Sequence, residues 1–417
     1  MAAIEATAGP APKRLALGGG VVSLLALAVF INYVDRGNLA TAGPVIKDEL
    51  GLSATQLGLL LSMFYWTYTP GQILAGWLCE KINPYRALAL GLAIWSAATA
   101  LTGLATSFAM LIALRLLLGL GESTIFPGSS KLVGQHLPPE KNSHANGLIA
   151  VGLALGPAVG TYFGGMMLGG IGWRALFVLF GLVSLTWLVP WLVATRRLSA
   201  EADVEAPDAD GPSMFDILKR REAWGACLGH FCNNYAFYFV VSWLPTYLVK
   251  AQGFTTARMA AVGGAIYLIY AASSFATGWV SDLWLRAGAT PNRVRKTFSV
   301  ASNSLTAAAL LTCAAGQATL SLAALALAAI AFGFNTATIY ATGQTLAGPR
   351  NAGKWIAVQN CAGNIAGPIA PLVTGMMIDR TGGFTVAFVA ASAVTLVGAF
   401  AWGVVIRKVA PLDWRAA

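Results

Sequence analysis

Charge is what this chain has least of. Lysine, arginine, aspartate and glutamate supply 11% of its 417 residues, where soluble domains carry about 25%. One soluble core does not grow to this length and stay this apolar. Cysteine is scarce too. Cys79, Cys227, Cys232, Cys313 and Cys361 are odd in number and scattered, which gives neither a disulfide framework nor a metal-ligand spacing. Of the three histidines, His136 and His144 flank a loop, and His230 reads as a polar residue near a helix end. No nucleophile motif and no soluble catalytic domain stand out, so neither an enzyme nor a cofactor is expected. No cleavable signal peptide is expected either, because the first apolar stretch is too long and runs into charged residues.

Long hydrophobic runs are what is there. Hydrophobic residues make up 57% of the chain. About twelve stretches, from 17–46 to 384–406, reach the roughly 20 residues needed to cross about 30 Å of hydrocarbon. Their length and Gly/Ala/Leu richness predict helices; a membrane β-barrel would show short alternating strands instead. With an even number of spans both termini lie on one side. Of the 27 basic residues, only Lys47, Arg174, Lys250, Arg258 and Arg380 fall on the opposite side. Arg36 and Arg115 lie within spans, and the rest share the side of the termini. The excess of basic residues in cytoplasmic loops then predicts cytoplasmic termini. Basic loops against anionic headgroups account for the net charge of +10, so the bilayer is the expected partner and nucleic acid is not.

One segment breaks the pattern. Between Thr195 and Arg221 the apolar spacing stops and "SAEADVEAPDADGPS" appears, with the composition of a solvated linker. It predicts a first bundle over 1–194, a linker over 195–221 and a second bundle over 222–417. The two sides are related. "GWLCE" at 76–80 matches "GWVSD" at 278–282, and "NY" at 32–33 matches "NY" at 234–235, both at offset 202. "GP" at 156–157 matches "GP" at 367–368. A duplicated six-helix unit in parallel orientation is expected, with a substrate site near midplane between the halves. The segment "GWLCEKINPYRA" resembles the loop between spans two and three of the major facilitator superfamily, usually Gly-x-x-x-Asp-Arg-x-Gly-Arg. Here Glu80, Lys81 and Asn83 replace its aspartate, arginine and inner glycine. The expected fold is therefore all-α: twelve transmembrane helices in two six-helix pseudo-symmetric bundles.

Only four charged side chains fall deep inside spans: Asp35, Arg36, Arg115 and Glu122. Each costs about 3 kcal/mol at the bilayer centre on insertion scales, so such groups pair or line a wet cavity. With span one ending near Ile46, Arg36 lies about 15 Å from the far side, Arg115 about 10 Å and Glu122 about 21 Å, at 1.5 Å per residue. On that count Asp35, Arg36 and Arg115 share a level and Glu122 sits deeper. Arginine stays protonated and grips a carboxylate with a planar fork. A carboxylate withdrawn from water favours its neutral form and a neighbouring arginine favours the charged one, so such a group can load and release a proton. Arginine plus a titratable acid is a minimal set for proton-coupled anion uptake, with protons as the coupling ion.

"NYVDRGNLATAGP" and "RLLLGLGES" strongly resemble the anion:cation symporter family of the major facilitator superfamily. That family includes bacterial galactonate, hexuronate, glucarate and phthalate transporters, with sialin and the vesicular glutamate carriers in animals. The resemblance implies H+-coupled uptake of an organic carboxylate. It assigns coupling and binding to the Asp-Arg of span one and the Arg and Glu of span four, here Asp35, Arg36, Arg115 and Glu122. Glu122, with no charged neighbour in sequence, is expected as the main proton site and Asp35 as the second; Arg36 is expected to hold the substrate carboxylate. Tyr33, Tyr65, Tyr68, Asn234, Asn360 and Asn364 are candidate partners for the rest of the substrate. Tyr65 and Tyr68 share one side of span two by their spacing, and Asn360 and Asn364 one face of span eleven. The outer loop "KDELGLSATQ" has no Asn-x-Ser/Thr sequon, which favours a bacterial inner-membrane carrier, expected as a monomer. Two alternatives stay open. One is an uncoupled or exchange-type anion carrier. The other is a proton-driven drug exporter, whose Gly-Pro-x-x-Gly-Gly motif is approached by "GPAVGT", with Thr161 at the second glycine.

Overall fold

A computed structural model describes residues 19–81, 83–136, 139–200, 214–348 and 352–414. Twelve helical spans cross the described part in sequence order. The first six start from Gly19–Glu49, Ala54–Lys81 and Pro84–Thr102. Span four is Phe108–Glu122 continued by Ile125–His136. Spans five and six are two helices within Pro139–Thr186 that meet without a loop at Gly172, where the helix breaks at a φ of 73° that only glycine adopts freely. Leu188–Ala200 continues span six. Spans seven to twelve are Arg221–Thr246, Thr256–Arg286, Pro291–Ala314, Ala318–Ala347, the pair Ala352–Asn364 and Ala366–Thr381, and Thr385–Phe400. Eight helical stretches meet a strict length and hydropathy test for crossing a membrane, and one of them, Leu148–Leu198, covers two spans. Spans two, three and seven are not among them in the described residues.

The segment expected as a linker over 195–221 is helical at both described ends. Span six runs to Ala200, and Met214–Leu218 forms a short helix before span seven. Residues 201–213 of it lie outside the described residues.

The surface is inverted relative to a water-soluble protein. Phe275, Val193 and Ile73 are 83%, 75% and 71% exposed, while Asn32, Asn38 and Glu122 are fully buried. Apolar side chains outward and polar ones inward suit a hydrocarbon surround. Inside the first half, span one packs on span five, span two on span four, and span three on spans four and six. In the second half span nine packs on spans ten and twelve, and span eight on span ten. Between halves, span two meets span eleven and span five meets span eight. Those two contacts exchange under the duplication, as a pseudo-twofold axis requires.

The halves close on each other at the end away from the termini. There Asp379 of span eleven accepts from the backbone N–H groups of Ala54 and Thr55 at 2.9 and 2.7 Å, capping span two from the other half. Lys250 pairs with Asp48 across the same seam. Small residues make the approach possible. A Cβ on Gly58 would lie 2.4 Å from the Pro371 carbonyl oxygen, and one on Gly375 2.3 Å from that of Ala54.

Candidate functional site

A cavity of about 350 Å³ lies between the halves, large enough for one small organic ligand. Spans one and two bring Tyr33, Arg36, Tyr68 and Gln72 to it. The second half brings His230, Asn233, Asn234, Tyr238, Tyr270, Tyr340, Asn360 and Asn364, with Thr336 beside them. Among the described lining residues Arg36 is the one Lys, Arg, Asp or Glu.

Arg36 is held from both sides. Its Nε donates to Glu122 Oε2 at 2.8 Å, with Glu122 fully buried and Arg36 12% exposed. The guanidinium carbon lies 4.6 Å from the Tyr33 ring centre, 5.0 Å from Phe64 and 4.3 Å from Tyr68, a desolvated cation–π cage. Nη2 has no partner in the protein, and the side chain borders the cavity. The cage fixes the fork while leaving donors for a ligand.

This pairing differs from the expectation that Glu122 sits deeper than Arg36 without a charged neighbour. Span one ends at Glu49, not Ile46. Arg36 therefore starts about 20 Å from that end and Glu122 about 21 Å, at 1.5 Å per residue. The two share a level, and Arg115 is the residue displaced from it. Arg115 is buried and does not line the main cavity; it borders a small cleft that it shares with Arg36, Phe64, Tyr65 and Ser242. Asp35 is also buried, and its Oδ1 accepts from Asn38 Nδ2 at 3.3 Å. Arg115 and Glu122 act on Asp35 electrostatically.

The candidate tyrosines separate as well. Tyr33 and Tyr68 line the cavity. Tyr65 does not. It packs 4.6 Å from the Tyr238 ring and against Gly367, where a Cβ would lie 2.4 Å from the Tyr65 ring, so it fills the seam between halves. Three residues turn a helix by about 300° and raise it by about 4.5 Å. That is enough to put one ring in the cavity and the other in the seam.

Asn234, Asn360 and Asn364 all line the cavity. Asn364 Oδ1 accepts from the Tyr238 hydroxyl at 2.6 Å and its Nδ2 donates to the Asn360 carbonyl oxygen at 3.0 Å. Asn360 Oδ1 accepts from the Tyr340 hydroxyl at 3.0 Å. The second half thus offers a pre-organised amide and hydroxyl surface. His230 was expected as a helix-end residue; the structure places it in the cavity wall, edge-on to Tyr340. Asn233 joins the wall beside Asn234, and so do Gln72, Tyr238, Tyr270, Thr336 and Tyr340, which no sequence motif marks as ligand candidates. For these residues the sequence signal was a polar side chain inside an apolar run, which interhelical hydrogen bonds produce as readily.

Residues 25–371 match the model of the Major Facilitator Superfamily. The chain belongs to that superfamily. It is a transporter and not an enzyme, with the twelve-helix fold of that group. Among curated relatives, the hexuronate transporter of Bacillus subtilis is 30% identical over 95% of this chain and 96% of its own. A probable L-galactonate transporter of Escherichia coli is 29% identical over 92% and 88%. A probable sulfoacetate transporter of Cupriavidus necator is 29% identical over 91% and 92%. Among solved structures, a bacterial homologue of the human lysosomal transporter Spinster, inward-facing and unoccupied, superposes with a TM-score of 0.78 at 20% identity, covering 96% of this chain and 98% of that one. That likeness bears on the fold alone.

Proposed function

We propose that this chain is a proton-coupled symporter for an organic carboxylate, a sugar acid of the galactonate, hexuronate or glucarate kind. It works by alternating access in the inner membrane of a bacterium, as a monomer with both termini in the cytoplasm. The carrying observation is Arg36, whose guanidinium borders the cavity with Nη2 unpartnered. The relatives named for hexuronate and galactonate support the substrate class. The arginine is caged by three rings and tied to a buried carboxylate, so an incoming anion and Glu122 compete for one cation.

The transport cycle follows from that competition. With the far end sealed by the Asp379 cap and the Asp48–Lys250 pair, and the termini in the cytoplasm, the chain is inward-facing. In this state Glu122 holds Arg36. When the halves rock and the cavity meets the outside, a proton on Glu122 weakens its hold. Arg36 then presents its fork to the substrate carboxylate. Asp35 takes the second proton. The carboxylate at one end of the substrate meets Arg36, while its hydroxyls meet Asn234, Asn360, Asn364 and the tyrosines. Release inside returns Arg36 to Glu122 as the protons leave. Arg115, off the cavity, serves Asp35 and Glu122 electrostatically.

An arginine as the lone charge of the described lining opposes capture of a lipophilic cation, the cargo expected of a drug exporter. The test is a purified protein screened by thermal shift against sugar acids, aromatic acids and cationic dyes, followed by proteoliposome uptake of the acids that bind. Stabilisation by a sugar acid and its accumulation down an imposed pH gradient are expected. Uptake of a dye instead, or anion exchange indifferent to the gradient, overturns the proposal.

A further inference from the structure

Span one carries a second polar surface that the cavity does not use. Asn32, Asp35, Asn38 and Thr41 recur at intervals of three, the spacing of one inclined ridge along a helix. Over nine residues the ridge advances about 13.5 Å. Their exposures are 0%, 2%, 0% and 0%, and none of the four lines the cavity between the halves. Every one of them has a buried polar atom without a well-formed hydrogen bond: both carboxamide atoms of Asn32, which lies against Glu122, Oδ2 of Asp35, which lies near Ser184, Oδ1 of Asn38 and Oγ1 of Thr41.

Such orphaned groups are rare in folded interiors and call for water or a functional reason. Four in register along one ridge share one reason. At the inner end Asn32 faces the Glu122 carboxylate, whose Oε1 is also unpartnered. At Asp35, Ser184 of span six faces the carboxylate, and Arg115 and Glu122 of span four act on it. At the outer end the ridge packs on glycines of span five. Asn38 Oδ1 would lie 3.4 Å from a Cβ on Gly164, and Thr41 Cγ2 3.5 Å from one on Gly165, whose missing side chain also admits Ala260 of span eight.

We infer that this ridge is a proton route inside the first half, separate from the substrate's path between the halves, with Asn38 and Thr41 as its positioning residues. The inference rests on the proton-coupled reading above. Water held by Thr41 and Asn38 delivers a proton to Oδ2 of Asp35. As that O–H bond forms, the donor's breaks, and the donor is restored from the water behind it. A water held by Asn32 passes the proton from Asp35 to Oε1 of Glu122 in the same way, giving one proton up as it takes another, while the carboxamide itself only positions that water. No lysine or histidine faces the ridge among the groups named, so the two carboxylates are its proton-holding members. Substrate and proton thereby meet only at Glu122, through Arg36.

The test compares Thr41→Val and Asn38→Leu with the parent in proteoliposomes, using a sugar acid that the parent binds. Three readouts are taken: accumulation driven by a pH gradient, counterflow exchange without a gradient, and substrate-induced proton entry reported by a trapped pH dye. Both variants are expected to slow gradient-driven accumulation and proton entry by about tenfold while counterflow stays within about twofold, with Thr41→Ser restoring the parent. Counterflow also reports that each variant has folded. A parallel fall in counterflow and accumulation would assign the ridge to packing and overturn the inference, as would unchanged proton entry in both variants. A parent that exchanges substrate but shows no proton entry would overturn the coupled reading, and this route with it.

Discussion

The half made of spans one to six faces the cavity with a caged arginine backed by a fully buried carboxylate. The half made of spans seven to twelve faces it with asparagines, tyrosines, Thr336 and His230, and with no Lys, Arg, Asp or Glu among its described lining residues. Both share a sequence pattern, visible in "GWLCE" and "GWVSD", yet among the described residues only the first brings a charge to the cavity. An intramembrane charge is expensive, and in the proposed cycle one cluster both captures the anion and moves the proton. The other half is then free to recognise hydroxyls through neutral groups that cost less to bury. The duplication preserved the frame and let the two walls divide the chemistry.

The largest test of that division is Arg36→Ala. Removing one partner of a desolvated charge pair costs about 2–5 kcal/mol, so sugar-acid affinity, measured by titration calorimetry, should fall by about 100-fold or more. Arg36→Lys keeps the charge and loses the fork, and should recover only part of it. Affinity unchanged in Arg36→Ala would move anion capture elsewhere. Next comes Asn364→Ala in the neutral wall. It strands the Tyr238 hydroxyl and removes one amide, a loss of about 1–3 kcal/mol that should weaken binding by about tenfold. An effect as large as that of Arg36→Ala would erase the contrast between the walls. Tyr340→Phe removes one hydroxyl from the Asn360 side and should cost about threefold in affinity, near the low end for a neutral hydrogen bond.

The smallest effect concerns the sealed end. Asp379→Ala removes a cap worth about 1 kcal/mol from the state in which this end is closed. Amide hydrogen exchange at Ala54 and Thr55 should quicken by about fivefold, with substrate affinity at the cavity little changed. Slower exchange, or none, would mean that the cap does not hold the seam.

Much of this was legible in the sequence, for physical reasons that differ from element to element. Helix number was readable because each span needs its own apolar run, even where spans five and six join through Gly172. The charged residues were readable because a lipid interior makes each one an exception. Their pairing was not. A three-residue difference in where span one ends, Glu49 and not Ile46, moved Arg36 by about 4.5 Å and gave it Glu122 as a partner. Tyr65 and Tyr68 looked equivalent by spacing, but the seam runs between them. His230 and Tyr340 belong to the wall because helices from opposite parts of the second half converge there, which no local pattern records.

The proposed coupling requires Glu122 to hold Arg36 when deprotonated and to free it when protonated. The most direct measurement is sugar-acid uptake into proteoliposomes with and without an imposed pH gradient, beside counterflow, for the parent and for Glu122→Gln. The glutamine imitates the protonated carboxyl permanently. The variant should bind substrate and exchange it across the membrane, yet lose accumulation in response to the gradient. A Glu122→Gln protein that still concentrates substrate when the gradient is applied would contradict the account and leave Asp35 to carry the coupling.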